Sequence, residues 1–265
     1  MNSQTSSVRV ETDPIVLVDA ICGVHGAYKA KRMDMSFIGG APIQSKCPAC
    51  AEERAAKERA EKERQKALQR EAEVRELFGC SGIPARFADR SLTNYVASTD
   101  GQKRALKIAE RFVDSFLSGD VRGASLVLAG KPGTGKTHIA CGIGRALIGE
   151  LYTVQFMTVL RAIRHIKETY RRDSDRSETD AIRDLTRPDL LILDEVGAQV
   201  GSEHEKMLMF EVINERYQEC RSTILISNLT GDELSEFLGD RAMDRFREAG
   251  GIVAFDWPSF RGKRA

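Results

Sequence analysis

No apolar run in this chain approaches the ~20 residues that a bilayer-spanning helix needs. The opening "MNSQTSSVRVETDP" has none of the apolar stretch that a secretory signal carries, so the expected location is the cytoplasm, with no membrane partner. An excess of one charge is absent too. Forty Lys and Arg stand against 39 Asp and Glu, for a net charge of +1. Any nucleic-acid contact must therefore come from a local patch. Cysteine is too sparse and unevenly placed for a disulfide framework. Of the six, Cys22, Cys47 and Cys50 cluster near the start. Cys80, Cys141 and Cys220 are scattered and read as small buried hydrophobes.

The 265 residues allow one to two domains. Residues 1–50 hold a weakly apolar stretch, "PIVLVDAI", and then Gly, Pro and the Cys/His cluster. Residues 51–77 are charge and alanine. Pairs such as Glu53–Lys57 and Glu58–Lys62 support a solvated helix, and no sustained apolar stripe gives it a face to bury. We read it as a linker. From 78 to 265 short apolar runs alternate with helical patterns, which predicts an α/β domain with a parallel sheet covered on both faces. The expected strands are "SLVLAG", "TVQFMT", "DLLILDEV", "STILISN" and "GIVAF". The basic helix "VLRAIRHIKETYRR" is expected after the second of these.

"GKPGTGKT", Gly130 to Thr137, follows the first strand and opens a helix, the context that a Walker A motif requires. In the run Gly130, Lys131, Pro132, Gly133, Thr134, Gly135, the glycines free backbone N–H groups to face a phosphate. Lys136 is then expected to reach the β- and γ-phosphates of ATP, and the Thr137 hydroxyl to ligate Mg²⁺. His138 follows on the first helical turn. "LLILDEV" delivers Asp194 and Glu195 to the C-terminal end of a buried strand. Asp194 is expected to hold Mg²⁺ and Glu195 to polarise the attacking water. Asn228 ends the next strand, where it could orient that water. Arg241 and Arg245 stand four apart on one helical face, and either could serve a neighbouring subunit's nucleotide as an arginine finger.

Near the start, Cys22-x₂-His25 and Cys47-x₂-Cys50 supply four ligands of the closed tetrahedral set used by structural zinc. A segment with so few apolar residues needs such a staple. Free cysteines beside a surface histidine are the alternative.

"GKPGTGKTH", "LLILDEVG", "STILISN", "LGDRAMDRFR" and "FDWPSFR" together resemble the AAA+ ATPases of the DnaC-type replicative helicase loaders, and the related IstB-type transposition helper ATPases. The resemblance covers about residues 80–262. It implies a P-loop NTPase with a five-stranded parallel sheet in the order 5-1-4-3-2 between helices and at most a reduced lid. By motif, Asn228 would be sensor 1, Arg245 the likelier trans finger with Arg241 next, and Arg261 a sensor 2 contacting nucleotide in cis. Arg86, Phe87 and Tyr95 would lie beside the adenine. In this group an extra helix after the second strand lines a single-stranded DNA path. Arg161, Arg164, Lys167, Arg171 and Arg172 fall there, although a solvated amphipathic helix accounts for the same pattern. The expected partners are a hexameric replicative helicase, single-stranded DNA and further copies of the chain in an ATP-dependent ring or spiral. Loaders of this type carry an N-terminal module that grips the helicase. The best-known ones are helical, so the zinc reading rests on this chain's own spacing. The alternatives are a transposition helper that binds DNA and recruits a transposase, and a nucleotide-dependent adaptor with little hydrolysis.

Overall fold

The computed structural model describes residues 15–36, 39–120, 122–198 and 202–260. Arg261, expected as sensor 2, lies outside them. The chain forms two compact units, divided between Arg70 and Glu71. That boundary falls inside one helix, α1 (Pro48–Cys80), longer at both ends than the expected 51–77. Pro48 suits the first turn, where an N–H would have no helical partner. None of the described α1 residues is buried.

The first unit is a small antiparallel sheet of β1 (Ile15–Cys22), β2 (Gly26–Met33) and β3 (Ile43–Gln44). β1 and β2 form a hairpin with Cys22 opposite Gly26, and Gly26 takes the left-handed φ of 76° that the tight return requires. Neither β2 nor the hairpin was expected from the sequence. Alternation puts Tyr28 and the fully buried Ala30 on one face. Ile15, Leu17, Ile21, Met33 and Ile43 share the other face by register. All five are exposed, Leu17 at 64% and Ile21 at 87%.

The second unit is built on a parallel sheet of β4 (Leu126–Gly130), β5 (Val154–Thr158), β6 (Leu190–Val196), β7 (Ser222–Ser227) and β8 (Ile252–Phe255). The spatial order is β5-β6-β7-β4-β8. Counting the five strands along the chain and reading from the β8 edge gives 5-1-4-3-2. Alternate residues of each strand enter opposite layers. Leu126, Leu128, Ile192 and Ile226 pack with α2 (Asp100–Ser118) and α3 (Lys136–Gly149). Val127, Ala129, Leu191, Leu193 and Leu225 pack with α4 (Val159–Lys167), α5 (Glu178–Thr186), α6 (Glu203–Gln218), α7 (Gly231–Leu238) and α8 (Asp240–Ala249). Capping boxes start α2, α5, α6 and α7, with Thr99, Ser177, Ser202 and Thr230 as N-caps. Helix α4 is shorter than the expected basic helix. It gives way to a 3-10 turn at Glu168–Tyr170, where the Thr169 hydroxyl donates to the Ile166 carbonyl at 2.7 Å, and Arg171 is already extended.

Two of the three scattered cysteines do not meet expectation. Cys141 is buried in α3, and burial pushes its thiol up to about 12. Cys80 ends α1, Cys220 occupies a left-handed turn after α6, and both are exposed because the chain is leaving a helix there.

Arg216 is fully buried on α6 and had no signature in the sequence. Its Nη1 donates to the carbonyls of Leu185, Thr186 and Pro188 at 2.9, 3.0 and 2.9 Å, and its Nε to the Thr223 hydroxyl at 3.0 Å. It thus staples the end of α5 and the entry to β6 onto β7. Burial pulls its pKa down to about 9, so it stays charged at neutral pH and depends on those carbonyls. Arg216→Met should destabilise the domain by about 1–3 kcal/mol by orphaning buried acceptors. Arg216→Lys should recover little, since an ammonium cannot reproduce the fork. Denaturant midpoints check both, and an unchanged midpoint for the Met variant would contradict the staple.

Candidate nucleotide site and metal cluster

The nucleotide motifs converge where the C-terminal ends of β4, β6 and β7 meet the start of α3. Gly130 leaves β4 at φ 136°, and a side chain there would stand 2.3 Å from the Phe255 carbonyl oxygen. Gly135, at φ 101°, caps α3, and a Cβ would press on the Tyr95 ring at 2.9 Å. The loop between them is braced from behind. Trp257 Nε1 donates to the Thr134 carbonyl at 2.8 Å, and the Phe260 N–H to the Gly133 carbonyl at 2.9 Å. This bracing was not foreseen, since nothing in "FDWPSF" announces what its carbonyl partners are.

Lys136 is buried, and its Nζ donates to the carbonyls of Gly130 at 2.6 Å and Lys131 at 2.8 Å, and to Asn228 Oδ1 at 3.0 Å. The Thr137 hydroxyl donates to Asp194 Oδ2 at 3.2 Å. These contacts join residues 57 and 92 positions apart. Asp194 Oδ1 accepts the Glu195 N–H at 2.7 Å. Burial raises the Asp194 pKa, which is the condition under which a carboxylate gains most from a cation. The strand pairing slips between Leu193 and Val196, and Glu195 takes φ 62°. A non-glycine residue held there costs about 1–3 kcal/mol and points to a functional constraint. The distortion leaves the Glu195 side chain exposed beside the half-buried Asp194.

Lys136, Thr137, Asp194, Glu195 and Asn228 line one cleft of about 720 Å³. Arg86, Phe87 and Tyr95 line its other side. His138 also borders the cleft, but its Nε2 is turned to the Ser91 carbonyl at 3.0 Å and Asn94 Oδ1 at 2.9 Å. Ser91 and Asn94 were not singled out in the sequence. A Thr hydroxyl against a half-buried carboxylate is a donor set that fits Mg²⁺, whose part would be to neutralise phosphate charge.

The two α8 arginines differ. Arg241 is exposed. Arg245 lies over the rings of Phe210 and Tyr217, at 5.3 and 5.1 Å, with its Nη1 buried and without a hydrogen-bond partner. Among the basic residues after β5, Arg161, Arg164 and Arg172 are exposed. Lys167 pairs with Glu205 at 2.6 Å and Arg171 with Asp173 at 3.4 Å.

In the first unit, the ligand atoms of Cys22, His25, Cys47 and Cys50 all lie within 4.8 Å of one another. The Cys22 and Cys50 sulfurs are 3.5 Å apart, and His25 Nδ1 is 3.3 Å from Cys50 Sγ and 3.8 Å from Cys47 Sγ. Two sulfurs bound tetrahedrally at ~2.3 Å would stand about 3.8 Å apart, so the donor set fits zinc in number, type and spacing. His25 Nε2 meets Glu53 Oε1 at 3.1 Å, the outer contact that turns Nδ1 inward. Hydrogen bonds from the Val24 and His25 backbone bring the Cys22 thiol down to about 6, and the Cys22 thiolate pushes Cys50 up to about 11.

Comparison with known proteins places this geometry. Residues 67–263 match the IstB-like ATP binding protein family. The chain is 35% identical over 201 residues to the replicative helicase loader DnaC of Escherichia coli K12, covering 74% of this chain and 80% of that protein. It is 34% identical over 190 residues to the DnaC of Buchnera aphidicola from Acyrthosiphon pisum, covering 71% and 76%. A crystal structure of the DnaC helicase loader superposes with a TM-score of 0.58 at 23% identity, over 65% of this chain and 99% of that one. The replication initiator DnaA bound to AMPPCP and single-stranded DNA gives 0.56 at 21%, over 67% and 52%. At those identities the structures speak for the fold alone. No helix among the described residues is long and apolar enough to cross a membrane. With its phosphate loop, its Thr137–Asp194 pair and the 5-1-4-3-2 sheet, the chain belongs to the IstB-like ATP-binding family of AAA+ ATPases, the family of the DnaC loaders.

Proposed function

We propose that this ATPase is a replicative helicase loader. In this reading it binds a hexameric DNA helicase, helps place it on single-stranded DNA and is released by ATP hydrolysis. The observation that carries the reading is the 35% identity over 74% of the chain to a protein of that function, with the catalytic motifs assembled in one cleft. The transposition alternative has the family description on its side, but the Escherichia and Buchnera relatives carry the loader name.

Within the cleft, Lys136 exchanges its loop carbonyls for the β- and γ-phosphates, and Thr137 with Asp194 holds Mg²⁺. Asn228 orients the attacking water, Glu195 polarises it, and Arg261 serves as sensor 2. Gly130, Lys131, Pro132, Gly133, Thr134 and Gly135 wrap the phosphates. Chains then assemble in a ring or spiral, where Arg241 or Arg245 completes a neighbour's site. Arg241 can do so from its exposed position. Arg245 must first leave its two aromatic rings. Single-stranded DNA runs along α4 past Arg161, Arg164 and Arg172, with Lys167 and Arg171 joining if their ion pairs open.

Residues 1–50 form the helicase-binding module, 51–77 the linker and 78–265 the ATPase. Zn²⁺ on Cys22, His25, Cys47 and Cys50 staples the module. The exposed Ile15, Leu17, Ile21, Met33 and Ile43, on a sheet face they share with the Asp19–Lys29 ion pair and Lys31, support a gripping role, since apolar side chains grouped at a surface with charges among them suit a partner.

Glu195→Gln should lower ATP turnover by about 100-fold or more while leaving ATP binding intact, as expected for loss of a general base. Single-turnover hydrolysis with a parallel binding titration checks this, and unchanged turnover would remove Glu195 from the chemistry. Co-elution with the host's hexameric helicase tests the loader reading. The native chain should form the complex and carry one zinc per chain. Cys47→Ser should lose both zinc and complex, and a Leu17→Asp, Ile21→Asp double variant should lose the complex but keep zinc and ATPase. A native chain that forms no complex with ATP or ADP, yet binds duplex DNA with ATP, would favour the transposition reading.

A further inference from the structure

The cleft has a second wall that the phosphate-binding motifs do not explain. Residues 85–95 make it, beginning with a 3-10 turn at Ala85–Phe87 and closing on Asn94. Asn94 Oδ1 accepts the Ser91 N–H at 3.0 Å, while its Nδ2 donates to the Asp89 carbonyl at 2.7 Å. The Asn94 N–H donates to the Ser91 hydroxyl at 3.2 Å. Phe87, Arg90 and Tyr95 of this wall border the cleft.

One stripe of α3 holds the wall in place. His138, Gly142 and Arg145 stand at i, i+4 and i+7 and share a helical face. Arg145 Nη1 donates to the Ala88 carbonyl at 2.6 Å. At Gly142 an added Cβ would come within 2.9 Å of the Leu92 backbone nitrogen, so the missing side chain is what lets the two backbones approach. His138 completes the stripe with contacts to the Ser91 carbonyl and Asn94 Oδ1. Both are acceptors, so Nε2 carries the hydrogen and donates to both. The His138 and Tyr95 rings meet edge to face at 5.2 Å. Burial also lowers the His138 pKa, in keeping with a ring that packs rather than titrates freely.

We propose that His138 is a positioning residue for the base end of ATP. It fixes the 88–95 wall relative to the phosphate loop, so affinity for the nucleoside depends on it and affinity for the phosphates does not. Because it directly follows Thr137, wall and phosphate site are tied to adjacent residues of one rigid helix. The inference rests on reading the cleft as the ATP site.

The test compares the full-length native chain with His138→Ala, His138→Gln and Asn94→Ala, and with the double variant. Loss of this hydrogen-bond donor should weaken ATP binding about tenfold, or about 1.4 kcal/mol, in His138→Ala. KM should rise with it while kcat holds. Affinity for inorganic tripolyphosphate, measured as a competitor, should not change. Glutamine, which keeps a donor at similar reach, should restore most of the ATP affinity. Asn94→Ala should reproduce the loss, and the double variant should add nothing to it. Unchanged ATP affinity in His138→Ala would overturn the proposal. So would equal loss of ATP and tripolyphosphate, which would put His138 on the phosphates. So would melting of the ligand-free alanine variant at a temperature low enough to explain the loss, if the glutamine variant melts normally and still binds weakly. A native chain that binds neither ligand would instead refute the reading of the cleft.

Discussion

Two sets of polar contacts, one made by the buried Lys136 and one between Thr137 and Asp194, hold the motor together at its chemical centre. The Lys136 ammonium donates to carbonyl oxygens of its own loop and to the Asn228 amide oxygen, and the Thr137 hydroxyl donates to Asp194. A buried cation is tolerable only when its donors are engaged. That need fixes the loop, the end of β6 and the end of β7 in one arrangement. The same need makes the site responsive, because phosphate oxygens are better acceptors for Lys136 than loop carbonyls are. The left-handed Glu195 and the ladder slip beside it belong to the same constraint, since an undistorted strand would send Asp194 and Glu195 to opposite faces.

Around that centre the molecule is layered by function. The C-terminal ends of β6 and β7 deliver Asp194, Glu195 and Asn228, and Arg216 staples the opposite ends of the same strands. The first unit uses different physics. It has few buried aliphatics, and its cysteines and histidine converge where a core would otherwise be needed. Glu53 links that cluster to the opening turns of α1 through His25.

The fold of the second unit was legible because its strands are short unbroken apolar runs that alternate with helical patterns, as a doubly covered parallel sheet requires. The Walker residues were legible because their chemistry demands fixed spacing. The Cys/His set was legible as two x₂ pairs, and the structure brings all four residues together. The β1–β2 hairpin was not, since only Tyr28 to Lys31 alternate in β2 and Arg32 and Met33 reverse the pattern. Arg216 was hidden among ordinary charged residues of α6, and its burial follows from carbonyls that only the tertiary fold assembles. The exposure of Cys80 and Cys220 turned on helix ends located to within a residue or two, the weakest point of any reading of pattern. Arg245 showed a spacing suited to a finger, but the rings of Phe210 and Tyr217 beneath it come from another helix.

The central claim is that Lys136 and Asn228, joined in this structure, divide their work when ATP arrives, the lysine binding phosphate and the asparagine serving hydrolysis. Calorimetric titration of Mg²⁺–ATP into the Lys136→Ala and Asn228→Ala variants, followed by a turnover assay on the same samples, tests this most directly. No measurable binding is predicted for Lys136→Ala, and near-native binding with lost turnover for Asn228→Ala. Native binding by Lys136→Ala, or native turnover by Asn228→Ala, would contradict it.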